Sequence, residues 1–179
     1  MGLIRISDGL EVAELMWPEF IQERGAIFLK SERKKSTFSW KKVETLLDLE
    51  SLVNHVHILD NFKHTAKLNR APWWNSKSRD FALAMDLANR MTTSWAAKLA
   101  GEFPVLDFAI FATRDENPIV RFHCIRKDGK LWLDPIKRAA WFSSGGARLI
   151  RVTQGKVGLP IGRLVGTKNK TSKQKLRTK

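Results

Sequence analysis

The chain has 179 residues, 43% of them hydrophobic, enough for a packed core and too many for disorder throughout. Lys and Arg number 32 against 18 Asp and Glu, a net charge of +14, and Cys124 is the single cysteine. An internal disulfide and a cysteine-based zinc site are thereby excluded, and no apolar run is long enough for a membrane span.

In chain order, Ser7 and Asp8 read as caps of a helix from Leu10 to Glu23, whose apolar stripe is Leu10, Val12, Ala13, Met16, Trp17, Phe20 and Ile21. Pro18 falls inside that stripe and predicts a kink or a split into two shorter helices. Gly25 marks a stop, and Ala26-Ile27-Phe28-Leu29 follows as a short buried strand. Ser31 to Lys42 is a polar, basic connection with Phe38 and Trp40 as candidate anchors. A second helix is predicted from about Lys42 to Phe62 on Val43, Leu46, Leu47, Leu49, Leu52, Val53, Val56 and Leu59. Its second half, Leu52 to Leu59, also alternates as a strand would, and the helix is preferred.

A polar loop from Lys63 to Lys77 carries Pro72-Trp73-Trp74-Asn75. Ser78 and Asp80 open a third helix to about Ala100, with Phe81, Leu83, Ala84, Leu87, Met91, Trp95 and Leu99 facing inward. Gly101 and Pro104 close it. Leu106 to Thr113 and Ile119 to Arg126 read as strands joined by the loop Asp115-Glu116-Asn117-Pro118. Asp128-Gly129 predicts a tight turn into a third strand, Leu131-Trp132-Leu133. A short helix over Ile136 to Phe142 is broken by Ser143-Ser144-Gly145-Gly146. Strands at Leu149–Thr153 and Lys156–Leu159 then turn at Gln154-Gly155.

From Gly166 onward Leu176 is the only apolar residue, which predicts a disordered basic tail. The expected fold class is α+β, with three main helices packed on one face of a small antiparallel β-meander. A single domain over 1–165 and a tail over 166–179 are expected. The N-terminus has no apolar run suited to a signal peptide, and Ile6 stands where a myristoylation signal needs Ser or Thr, so a cytoplasmic location is expected.

Charge carries the strongest functional signal. Residues 1–65 hold nine basic and ten acidic side chains, whereas residues 66–179 hold 23 basic and eight acidic ones. From Pro135 to Lys179 there are twelve Lys and Arg and no acid. Such a segment repels itself and favours an anionic partner, with nucleic acid the commonest and an acidic protein the alternative. Lys137, Arg138, Arg148, Arg151, Lys156 and Arg163 are the candidates on the folded part; Lys168, Lys170, Lys173, Lys175, Arg177 and Lys179 would act as a mobile arm. Trp73, Trp74, Trp132 and Trp141 lie in or near basic segments, and an indole face can stack on an unpaired base. The tandem Trp73-Trp74 is the preferred pair because its surroundings are polar.

Candidates for catalysis are weaker. His57, Asp60 and His64 would share one helical face, and with His123 they could hold a metal or pair a base with a carboxylate, as a phosphodiester hydrolase requires. On a strand, His55 and His57 would instead point the same way. Their spacing matches no metalloenzyme signature. Asp107 with Asp128-Gly129-Lys130 has the residue types of a metal-dependent nuclease, but a hairpin turn accounts for Asp128 and Gly129 more simply. Ser143 to Arg148 could cradle a phosphate with backbone amides, without P-loop spacing. No nucleophile elbow or dinucleotide fingerprint occurs, no cofactor is implied, and Cys124 reads as a packing residue. Binding rather than catalysis is the expectation, and the oligomeric state is left open.

Overall fold

A computed structural model describes residues 6–37, 43–62 and 76–164. The tandem Trp73-Trp74, the anchors Phe38 and Trp40, His64 and the predicted tail over 166–179 lie outside the described residues.

The first helix, α1, spans Ile6–Met16. Pro18 has no N–H to continue it, so the predicted helix to Glu23 is cut short. Phe20–Glu23 forms strand β1 instead, paired antiparallel with β2, Ala26–Leu29. The turn between them, Arg24-Gly25, has φ of 50° and 80°, the left-handed geometry that matches the twist of a two-residue hairpin. Gly25 is therefore a hairpin residue rather than a helix stop. Leu10 and Trp17, expected to face inward, are exposed, while Leu15 and Met16 lean on the core.

Helix α2 is Lys30–Lys35. Helix α3 covers only Leu46–Val53, capped where the Thr45 hydroxyl accepts the Asp48 N–H at 3.1 Å. The predicted second helix ends early at Asn54. This buried amide accepts the Leu29 N–H at 2.9 Å and donates to the Ile27 carbonyl at 2.7 Å, pairing with β2 as a strand would. Beyond it the alternation of Leu52 to Leu59 prevails: His55–His57 is strand β3, followed by a 3-10 turn at Leu59–Asn61.

Ser78 caps the long helix α4, Arg79–Glu102, by accepting the Phe81 N–H at 3.1 Å. After it come β4 (Asp107–Thr113), β5 (Ile119–Ile125), the short helix α5 (Ala139–Ser143), β6 (Ala147–Thr153) and β7 (Lys156–Val157). The strands β3-β5-β4-β6-β7 form one antiparallel sheet. Leu131-Trp132-Leu133 is not its third strand. That segment packs over the sheet, against Ala109 and Phe111, and β6 takes the place beside β4.

The architecture is α+β, helices stacked against a small antiparallel sheet. Period-two alternation gives β4 two apolar faces. Phe108, Ile110 and Ala112 meet α4 through Met85, Met91 and Leu99, while Leu83 of that helix stays exposed. Trp95 sits in this core edge-on to Phe20 and Phe122, and its indole N–H donates to the Leu15 carbonyl at 2.9 Å, tying α1 to α4. Ala109 and Phe111 point to the other face, which is covered by Phe142, Trp132 and Trp141. No helix among the described residues is long and apolar enough to cross a membrane.

Candidate anion-binding cleft

Two charged side chains of the sheet region are treated oppositely by the fold. Glu50 of α3 is fully buried, and its carboxylate accepts the Ile27 N–H and the Cys124 N–H, both at 2.9 Å. Arg126 donates to both of its oxygens, at 2.9 and 3.0 Å. This buried charge is matched on every side. Burial and the nearby Glu50 push the Cys124 thiol far above its ordinary range, which makes it a packing group rather than a nucleophile.

Arg121 has no such match. It projects from β5 onto the sheet face that carries Ile119, His123 and Ile125, a row the alternation would otherwise fill with apolar groups. Its guanidinium carbon lies 3.8 Å over the Trp132 ring. The Nε is buried with no hydrogen-bond partner among the described residues, and the terminal nitrogen reaches only the Ser51 carbonyl, at 3.5 Å. Burial lowers its pKa; the charge of Asp115 works the other way, yet forms no ion pair with it.

In front of Arg121 lies an open cleft of about 670 Å³ between Trp132, Leu133, Arg138 and Trp141, with Asp115 at its rim. Asp115 Oδ2 accepts the Thr113 hydroxyl at 2.7 Å. Trp141 is seated directly on Gly146: a Cβ at that position would stand 1.9 Å from its Cδ1 and Nε1. The indole can occupy this site only because residue 146 has no side chain.

The cations expected to bind are divided between the two faces. Arg151 is in register with Ala109, on the same face as Arg121, and Arg138 borders the cleft. Arg148 is in register with Ala112 and turns to α4, where it donates to the Asn89 carbonyl and to the hydroxyls of Thr92 and Thr93 at 2.8 and 3.1 Å. Arg163 joins it at a second pocket, of about 600 Å³. Lys156 lies on β7, and the Lys137 N–H is held by Asp134 at 3.3 Å.

The described histidines do not converge. His55 and His57 neighbour each other on β3, with ring centroids 5.1 Å apart, and burial followed by the Arg121 charge keeps His55 below its usual pKa despite the Leu52 carbonyl it bonds. His57 stands opposite Ile119, four positions along β5 from His123, roughly 13 Å at strand spacing. His123 is fully buried: Nδ1 donates to the Cys124 carbonyl at 3.0 Å and Nε2 accepts the Trp132 N–H at 3.2 Å. Asp60 accepts from Asn117 at 3.0 Å. Among the described residues no group of three or more His, Cys, Asp or Glu is placed to hold a metal.

Asp107 accepts the Gln154 N–H at 2.9 Å and Asp128 the Lys130 N–H at 3.2 Å, so both carboxylates serve turns. The glycines after α5 are its cap, with the Gly145 and Gly146 amides donating to the Phe142 and Trp141 carbonyls rather than forming an anion nest.

Sequence reasoning named Trp132 and Trp141, read Asp115 only as a loop residue, and considered Arg121 only as a cation sharing a side with Arg148 and Arg151, not as a binding residue. A lone arginine inside an alternating apolar row was the available signal. No family model, curated protein or solved structure matches this chain.

Proposed function

We propose that this protein is a non-enzymatic module that binds nucleic acid through the cationic surface of its C-terminal half. One observation carries the reading. Pro135 to Leu164 contains no acid, and none of its six cations forms an ion pair among the described residues. Elsewhere among the described residues Lys30, Arg33, Lys35, Arg90, Lys98, Arg126 and Lys130 are paired, while Lys34, Arg79, Arg114, Arg121 and Lys127 form no ion pair, so the C-terminal segment differs in having no paired cation and no acid at all. Unmatched cations keep their attraction for phosphates, and the exposed Arg138 and Arg151 can release counterions on contact. The aromatic walls beside Arg138 favour single strands, whose bases are free to stack. One buried, unpaired cysteine is compatible with a reducing cytoplasm as the working compartment.

The test is fluorescence anisotropy of the full chain with labelled single-stranded and duplex oligonucleotides across a salt series. Binding should weaken with salt at a log–log slope of about −0.7 per phosphate contacted on single strands, and Arg138→Gln with Arg151→Gln should each reduce that slope by about one contact. A complex with an acidic protein that survives high salt, without oligonucleotide binding at low salt, would replace this reading with a protein-docking one.

A further inference from the structure

We propose that the cleft in front of Arg121 seats one unpaired nucleotide, its phosphate between Arg121 and Arg138 and its base on the Trp141 ring. The inference rests on the nucleic-acid reading for the source of that nucleotide, and goes beyond it in defining a specific pocket.

The argument starts from the unmatched charge. A buried guanidinium nitrogen without an acceptor is costly, and folded proteins pair such groups. The same sheet does so for Glu50 and Arg126, yet leaves Arg121 Nε without a partner. An oxyanion entering the cleft would instead meet the second terminal nitrogen of Arg121, which has no acceptor among the described residues, and Arg138, which lines the same cleft, would add a second cation. An anion alone leaves the rest of the lining unused. Trp141 is fixed against the Gly146 backbone, and its indole N–H, like that of Trp132, makes no hydrogen bond among the described residues. Oδ1 of Asp115 has no donor among the described residues either. The ligand therefore offers a planar face, acceptors for indole N–H groups and at least one donor for a carboxylate. A nucleobase with an amino or ring N–H edge, linked to a phosphate, has all of these. The volume of about 670 Å³ suits one such unit, and the open front lets a strand enter and leave.

The experiment is a tryptophan-fluorescence titration of the full chain with 5′-nucleoside monophosphates, the matching nucleosides and inorganic phosphate, followed by single-stranded oligonucleotides. Expected is saturable one-to-one binding of a monophosphate, with nucleoside and phosphate each weaker by about tenfold, the worth of one stacked base or one charge-assisted contact. Arg138→Gln and Trp141→Ala, both at the cleft's edge, should weaken it by about tenfold, and Arg121→Gln by more. Circular dichroism melting checks that each variant folds; the two edge variants decide the matter should Arg121→Gln fail to fold. Phosphate binding as tightly as the monophosphate, or full binding by both edge variants, overturns the pocket. Oligonucleotide binding that persists with no mononucleotide bound and no loss in Trp141→Ala sinks the pocket and leaves the nucleic-acid reading standing. Mononucleotide binding without oligonucleotide binding does the reverse.

Discussion

Arg126, the residue that follows strand β5, grips both carboxylate oxygens of the fully buried Glu50, at 2.9 and 3.0 Å. The same carboxylate holds backbone N–H groups of β2 and β5. Removing it strands a guanidinium and two buried donors together. Glu50→Ala should cost about 3–5 kcal/mol, as expected for breaking a buried pair. Glu50→Gln should cost less, because an amide oxygen still accepts one N–H. Urea unfolding checks the order, and an alanine variant as stable as the parent would refute the role assigned to Glu50.

Stability should fall on mild acidification through His123. Burial lowers its pKa, its Nε2 must stay unprotonated to accept the Trp132 N–H, and the unfolded imidazole titrates near about 6.5. The unfolded chain thus binds the proton first. The stabilisation is complete above that pH and is lost as pH drops toward the lowered folded value, with a slope approaching about 1.4 kcal/mol per pH unit. His55 is shifted in the same direction. His123→Gln should therefore reduce the slope measured by urea unfolding between neutral and mildly acidic pH, without abolishing it.

Gly146→Ala places a methyl group where Trp141 already lies. Overpacking of this kind costs about 1–3 kcal/mol. Combining it with Trp141→Ala should recover most of that loss, and a double-mutant cycle read by thermal melting would show the coupling. Additive losses would mean that the indole is not held as described.

Both two-residue hairpins carry a non-glycine residue in the left-handed region, Arg24 at φ 50° and Gln154 at φ 48°. Asparagine tolerates that conformation better. Arg24→Asn and Gln154→Asn should each raise stability by about 0.5 kcal/mol, and since neither turn residue contacts the other, the gains should add. Denaturation midpoints for the single and double variants provide the check.

The α4 helix and the strands β4, β5 and β6 were legible in the sequence because capping, periodicity and loop chemistry agree there. The β1–β2 hairpin was hidden behind Arg-Gly, a weak turn signal, and behind an apolar spacing that fits a helix until Pro18 intervenes. For residues 55–57 the two periodicities tie locally, and Asn54 breaks the tie through bonds to a strand 25 and 27 positions earlier. No local pattern contains that information. The charge asymmetry was plain in the sequence, but which face each cation occupies depends on register: Arg148 and Arg151 are three apart and emerge on opposite sides of β6. The cleft was legible only as separate letters, since Trp132, Trp141 and Arg121 are brought together by a segment folding back over the sheet.

The sheet is bordered by its two shortest members, β3 with three residues and β7 with two, around central strands of seven. A margin that brief offers another molecule too few backbone groups to zip onto, and Lys156 adds a charge that repels a like copy. The consequence is resistance to edge-to-edge aggregation, which leaves the long apolar strands at the centre without access to a foreign chain.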